Sequence, residues 1–144
     1  MKKKTQVDAR SKVLEYLAAR DHSEKELREK LGRRYTPEEI NDALESARNA
    51  NLLPEPEVLA KQVAGTLARK KKSHRYIQEF LKKKGLPAVE RETETEIEKA
   101  RELILQKFRK GPPFTFEEKP KVHRYLAYRG FDQDTIRRVM HERE

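Results

Sequence analysis

Residues 22–40, HSEKELREKLGRRYTPEEI, hold two helix starts and one helix stop. Ser23 is a good N-cap, and Glu26 three positions later completes a capping box, each side chain reaching the other's free backbone N–H. Leu27 and Leu31 then fall one turn apart on one face. Thr36-Pro37-Glu38-Glu39 repeats the opening, with Thr36 as cap, Pro37 at the first helical position and Glu39 closing a second box. A helix of about nine residues is too short to stand alone in water. The first of these helices must therefore lean on neighbours.

Working outward, almost every segment reads as helix. Val13, Leu14, Leu17 and Ala18 form one stripe before it, and Ile40, Ala43, Leu44 and Ala47 follow Thr36 at helical spacing. Asn49 and Asn51 suit the end of that helix, and Pro54 and Pro56 forbid its continuation. Leu59, Val63 and Leu67 carry a fourth helix. Ser73 caps a fifth, with Tyr76, Ile77, Phe80 and Leu81 on one face and Gly85 as its stop. Pro87 is expected to open a long charged helix that gains an apolar side at Ile97, Ala100, Ile104 and Phe108 and ends at Gly111-Pro112-Pro113. Val122, Tyr125 and Leu126 make a short helix stopped at Gly130; Asp132 caps the last, with Ile136, Val139 and Met140 facing inward. No segment alternates convincingly as a strand does.

One pattern is written three times. Leu27–Ile40 reads LREKLGRRYTPEEI, Ile77–Glu90 reads IQEFLKKKGLPAVE, and Val122–Ile136 reads VHRYLAYRGFDQDTI. Each has an apolar pair four apart, basic residues, an apolar or aromatic residue, and then Pro or Asp opening a helix. The anchors Leu31, Leu81 and Leu126 are 50 and 45 residues apart, the spacing of a three-helix repeat. The expected fold is all-α: three tandem three-helix repeats in an elongated, curved body. The divisions are a basic arm over residues 1–6 and repeats over 9–51, 57–96 and 97–144.

Composition agrees with many small cores. Charged residues are 41% of the 144 and apolar residues 35%, too little for one large interior but enough for a series of small ones. The absence of cysteine excludes disulfides and thiol chemistry and suits the cytosol. No apolar run reaches the roughly 20 residues that cross a bilayer, and no membrane partner is expected. The basic start lacks the apolar core of a signal peptide.

Motifs for chemistry are missing. There is neither a phosphate-binding G-x-x-x-x-G-K-[ST] loop nor a G-x-G-x-x-G. His22, His74, His123 and His141 never occur at i, i+4, so no metal or other cofactor is expected, and His22 reads as a surface residue near a helix start.

Charge is more telling. The net charge is +9, which favours polyanionic partners. Lys61–Lys84 holds nine Lys or Arg against the single acid Glu79. Positions 72, 75, 79, 82 and 83 lie near one helical side, and the apolar residues occupy the other. Lys70, Lys71, Lys72, Arg75, Lys82 and Lys83 are the main candidate contacts. Arg33 and Arg34, at an equivalent turn, are secondary ones. An acidic stretch follows, in which Glu90, Glu94, Glu98 and Glu102 form a like-charge ladder. It reads as an exposed strut, with Glu96–Lys99 and Glu98–Arg101 offsetting part of the repulsion.

Four pieces in order resemble one family: RDHSEKEL (Arg20–Leu27), NLLPEPEVLA (Asn51–Ala60), IQEFLKKKGL (Ile77–Leu86) and YLAYRGFDQDTIRRV (Tyr125–Val139). Together they look like the bacterial RecX regulatory proteins, over about Ala9 to Glu142. Asn51 stands where that family has glycine, and Leu59 where it has an aromatic residue. The resemblance implies binding to the RecA recombinase within the groove of the RecA–single-stranded-DNA filament. It implies limits on filament growth, ATPase, strand exchange and coprotease activity, with some relatives acting as modulators. It implies a cytoplasmic monomer that is not an enzyme. Direct contact with single- or double-stranded DNA stays open, as does the alternative of a plain helical DNA-binding module, for which Arg137-Arg138 is the nearest recognition element.

Overall fold

The structure, a computed structural model, describes residues 7–141. The basic arm expected over residues 1–6 lies outside them. The described residues form eight α-helices and no strand: α1 (Ala9–Ala19), α2 (Glu24–Leu31), α3 (Pro37–Asn49), α4 (Pro56–Arg69), α5 (His74–Lys83), α6 (Thr93–Phe108), α7 (Glu118–Tyr128) and α8 (Gln133–Met140). The fold is all-α, as the periodicity predicts.

The start signals act as written. Ser23 Oγ accepts from Glu26 N–H at 3.1 Å while Glu26 Oε1 accepts from Ser23 N–H at 3.2 Å. Thr36 and Glu39 do the same at 3.2 and 2.9 Å. A third reciprocal box, not anticipated from the sequence, joins Thr115 and Glu118 at 3.2 and 2.8 Å in the turn that leads into α7. Asp132 caps α8 by accepting from Thr135 N–H at 2.8 Å. Each such cap is worth about 1 kcal/mol, because the first N–H groups of a helix have no partner within it.

The stops share one geometry. Asn51, Lys71 and Arg109 take left-handed φ of 58°, 62° and 58°, and Gly85 and Gly130 take 69° and 92°. After three of these helices a backbone N–H reaches back to an orphan carbonyl: Leu52 to Ala47 at 2.9 Å, Lys72 to Leu67 at 3.0 Å, and Phe131 to Leu126 at 3.2 Å.

The helix expected from Pro87 does not start there. Residues 87–92 lie outside any helix, and α6 begins at Thr93. Val89 N–H donates to Gln78 Oε1 at 3.0 Å, so a side chain takes the place of a helical carbonyl. Glu92 at the N-cap makes no side-chain cap bond.

The chain divides into two compact units: Met1–Ala60 with Lys82–Pro87, and Lys61–Leu81 with Ala88–Glu144. In the first, Ala9, Val13, Leu27, Leu31, Tyr35, Ile40, Ala43, Leu44 and Ala47 form the core, lined by Tyr16, Leu17 and Leu53. The inward face of α1 is thus Ala9, Val13, Tyr16 and Leu17. Leu14 and Ala18, read from the sequence as part of that stripe, are exposed. The Tyr35 hydroxyl ties the chain's start by donating to the Val7 carbonyl.

His22 belongs to this interior and is no surface residue. Its ring is 2% exposed, 5.6 Å from the ring of Tyr16. One ring nitrogen lies 2.9 Å from the Arg20 carbonyl and the other 2.7 Å from Lys30 Nζ. An ammonium only donates, so Nε2 accepts from Lys30 and Nδ1–H donates to Arg20, which fixes a neutral imidazole. The surface reading failed because the cap at Ser23 turns His22 back under α1.

In the second unit the core is Ile97, Ala100, Leu103, Ile104, Phe114, Val122, Leu126, Phe131, Ile136, Val139 and Met140. Fully burying a side chain such as Leu126 or Ile136 contributes about 1.5–3 kcal/mol. The recurring pattern is visible in burial: Leu27, Leu31 and Tyr35, then Ile77, Leu81 and Leu86, then Val122, Leu126 and Phe131 are all buried.

Candidate basic interface on α4 and α5

The basic run is built at the junction of α4 and α5. The first helix ends at Arg69, and Lys70–Lys72 form its left-handed stop, with Lys71 at the positive-φ position. Lys72 therefore precedes α5 and is not part of its basic side, as helical spacing had implied. Ser73 Oγ then accepts from Tyr76 N–H at 3.2 Å and opens α5.

The candidate cations differ in how free they are. Lys70 is exposed. Lys71 is half-buried, with Nζ 3.4 Å from a carboxylate oxygen of Glu102 on α6. The ammonium of Lys72 lies 4.9 Å from the ring centroid of Tyr76, which is itself 42% exposed. Tyr76 thus stands on the open side of α5, although the apolar stripe placed it inward. Arg75 and Glu79 pair at 3.5 Å, both largely exposed, an interaction worth at most about 1 kcal/mol in water. Lys82 and Lys83 are exposed in the last turn of α5, where cations suit the helix dipole. Arg33 and Arg34 are exposed in the turn between α2 and α3, within the first unit. Lys84 is drawn inward instead, 3.3 Å from Glu26.

Glu26 explains that pairing. Burial alone would raise its carboxyl, but hydrogen bonds from Arg20 and Ser23 and the charges of Lys84 and Arg20 outweigh it and hold the group at about 2. It closes the capping box and neutralises two cations at once.

A second buried carboxylate supports the junction from α6. Glu96 and Lys99 are 4% and 6% exposed and pair at 2.6 Å. The other oxygen of Glu96 accepts from His74 N–H, the first amide of α5, at 2.7 Å. The pair is buried and structural, not part of an exposed strut. Its i, i+3 spacing was legible, whereas its burial depends on where α5 starts. Glu94, Glu98 and Glu102 are exposed on α6 as the like-charge ladder requires, whereas Glu90, exposed too, precedes the helix and is not a rung of it. Every buried side-chain nitrogen and oxygen among the described residues has a partner.

Arg137 and Arg138, the best recognition element for a DNA-reading helix, both pair with Asp134, at 2.9 and 3.2 Å. No group of three or more His, Asp or Glu suited to a metal occurs among the described residues. No helix among them is long and apolar enough to cross a membrane.

Known proteins agree with this architecture. The family model for the first three-helix domain of RecX matches residues 9–46, and that for the third three-helix domain matches residues 94–140. Regulatory protein RecX of Leptothrix cholodnii is 34% identical over 146 residues, covering 94% of this chain and 88% of the relative. Its counterpart in Salmonella typhimurium is 32% identical over 145 residues, covering 89% and 87%. Among solved structures, a crystal structure of regulatory protein RecX superposes with a TM-score of 0.75 at 22% identity, over 93% of this chain and 72% of that one. RecX from Lactobacillus salivarius gives a TM-score of 0.75 at 18% identity, over 92% of each chain. The structural matches bear on the fold and the sequence matches on kinship: the chain belongs to the RecX family of regulatory proteins.

Proposed function

We propose that this protein is a cytoplasmic, non-catalytic negative regulator of the RecA recombinase that binds in the groove of the RecA–single-stranded-DNA filament. Binding there limits filament growth, ATP hydrolysis, strand exchange and coprotease activity. The observation that carries the reading is the single-signed segment at the α4–α5 junction. Nine cations face one acid between Lys61 and Lys84, and Lys70, Lys82 and Lys83 stand exposed at or near the ends of these two helices. Membership of a family of regulatory proteins supports it.

Lys70, Lys71, Lys72, Arg75, Lys82 and Lys83 are the proposed main contacts to the filament, with Arg33 and Arg34 secondary. The loosely held pairs Lys71–Glu102 and Arg75–Glu79 leave their cations able to exchange an internal carboxylate for one on a partner, or for a phosphate. Contacts to neighbouring protomers then add through effective concentration, so no single contact need be strong. Occupying the groove obstructs addition of the next protomer.

The test is a titration of the purified protein into RecA with single-stranded DNA and ATP. ATP hydrolysis is followed at several salt concentrations. Hydrolysis falls as the protein is added, and the effect weakens steeply with salt. Hydrolysis unchanged at saturating protein and low salt rejects the assignment.

A further inference from the structure

The second unit carries another basic surface, on α7, that the run at α4–α5 does not include. From Lys119 to Phe131 the chain has four cations, Lys119, Lys121, Arg124 and Arg129, and no carboxylate. On α7, Lys121, Arg124 and Tyr128 fall within about 60° of arc at 100° per residue. That arc lies opposite the buried Val122 and Leu126. Lys121 and Arg124 are exposed, and neither has an acidic partner among the described residues. Glu117, at the N-cap of α7, is an exposed carboxylate next to this stripe, and Glu118 is engaged with Lys110 at 2.9 Å.

Two aromatic residues frame the stripe, and both are almost wholly in water. Tyr128, at the end of α7, is 92% exposed, and Phe116, two residues before its start, is 91% exposed. The other exposed large apolar side chains among the described residues reach at most 51%. Tyr125, half-buried against the core, also meets cations: Arg129 lies 5.2 Å and Lys107 5.9 Å from its ring centroid.

We propose that the outward side of α7, with Tyr128 and Phe116 as aromatic platforms, is a binding surface for an unstacked single strand of nucleic acid. Cations that track phosphates, interleaved with rings that accept any base face, are what a sequence-tolerant single-strand surface requires. From Lys121 to Tyr128 the helix advances about 10 Å, so the stripe meets a short stretch of one strand. An acidic protein surface would use the cations but gains little from two rings held fully in solvent. A duplex keeps its base faces stacked and hides them from the rings. The surface needs no recombinase, so it stands or falls independently of the filament reading.

The test uses the full chain and a fluorescein-labelled oligo-dT, with anisotropy read between about 50 and 200 mM salt. Tyr128→Ala weakens binding about 5- to 150-fold, the value of one lost stack, and leaves the salt slope unchanged. Tyr128→Phe binds like the parent. Lys121→Ala with Arg124→Ala lowers the magnitude of the log–log salt slope by about 1.4, two phosphate contacts' worth. Exposure of all four side chains keeps these variants folded. Parental binding by a Phe116→Ala/Tyr128→Ala double variant overturns the proposal. So does polyglutamate displacing the oligonucleotide as well as unlabelled oligo-dT does, which would make the surface one for acidic protein.

Discussion

Gly130 lies directly against Ser73. A Cβ built on Gly130 would come within 2.7 Å of Ser73 Oγ, the oxygen that caps α5, and Gly130 has φ of +92°. The stop of α7 and the start of α5 therefore share one tight contact within the second unit. Gly130→Ala should cost about 2–3 kcal/mol, combining left-handed strain with damage to the cap. Urea unfolding would show it as a lowered midpoint. Ser73→Gly in the Gly130→Ala background should recover part of the loss, since it removes the obstructing hydroxyl.

The buried pair Glu96–Lys99 gives a sharper contrast between single and double changes. Glu96→Ala leaves the Lys99 ammonium buried without its partner and the His74 amide without its acceptor, a loss of about 3–5 kcal/mol. Replacing both by Met should cost far less, because the desolvation of two charges disappears with the pair. Thermal or urea unfolding of the parent, Glu96→Ala and the double Met variant decides it.

Acid should weaken the fold through histidine. Burial chiefly, with the charges of Arg20 and Lys30, holds His22 below the ordinary imidazole value of 6.5, against the Arg20 carbonyl and Glu26. Burial also lowers His74, with Arg91 and Lys99 adding and Glu96 opposing. A lowered value means that the folded state prefers neutral imidazole. The stabilisation is therefore complete above 6.5 and is lost as pH falls from there toward the lower folded values. Urea midpoints taken from about pH 8 down to about pH 5 should be level and then decline. His22→Gln should flatten part of that decline.

Lys71 separates stability from binding. It is a lysine in left-handed backbone, where glycine rests without strain. Lys71→Gly should raise stability by about 0.5–1 kcal/mol even though it removes the Glu102 contact. The same change should weaken inhibition of RecA, because it deletes a proposed contact. A variant more stable and less active would show that Lys71 is kept for its charge.

Much of this was legible because the signals are local. Ser23-Glu26 and Thr36-Glu39 cap helices by bonds spanning three residues, and the recurring Leu31, Leu81 and Leu126 are buried as their spacing requires. What escaped depends on residues distant in sequence. The burial of His22 is set by the turn that folds it beneath Tyr16, and that of Glu96 by the first amide of α5. Pro87 satisfied the local rule for a helix start, yet the chain stays outside any helix up to Glu92 and uses Gln78 as an acceptor. The basic run was plain in composition. The left-handed turn that takes Lys72 off α5, and the Glu102 carboxylate beside Lys71, were not.

The central claim is that the cations of the α4–α5 junction dock this protein on RecA. The most direct measurement compares the parent with Lys71→Glu/Lys72→Glu/Arg75→Glu in DNA-dependent ATP hydrolysis by RecA, with helicity checked by circular dichroism. The account predicts retained helicity and markedly weaker inhibition, most evident at low salt. Full inhibition by the folded triple variant would contradict it.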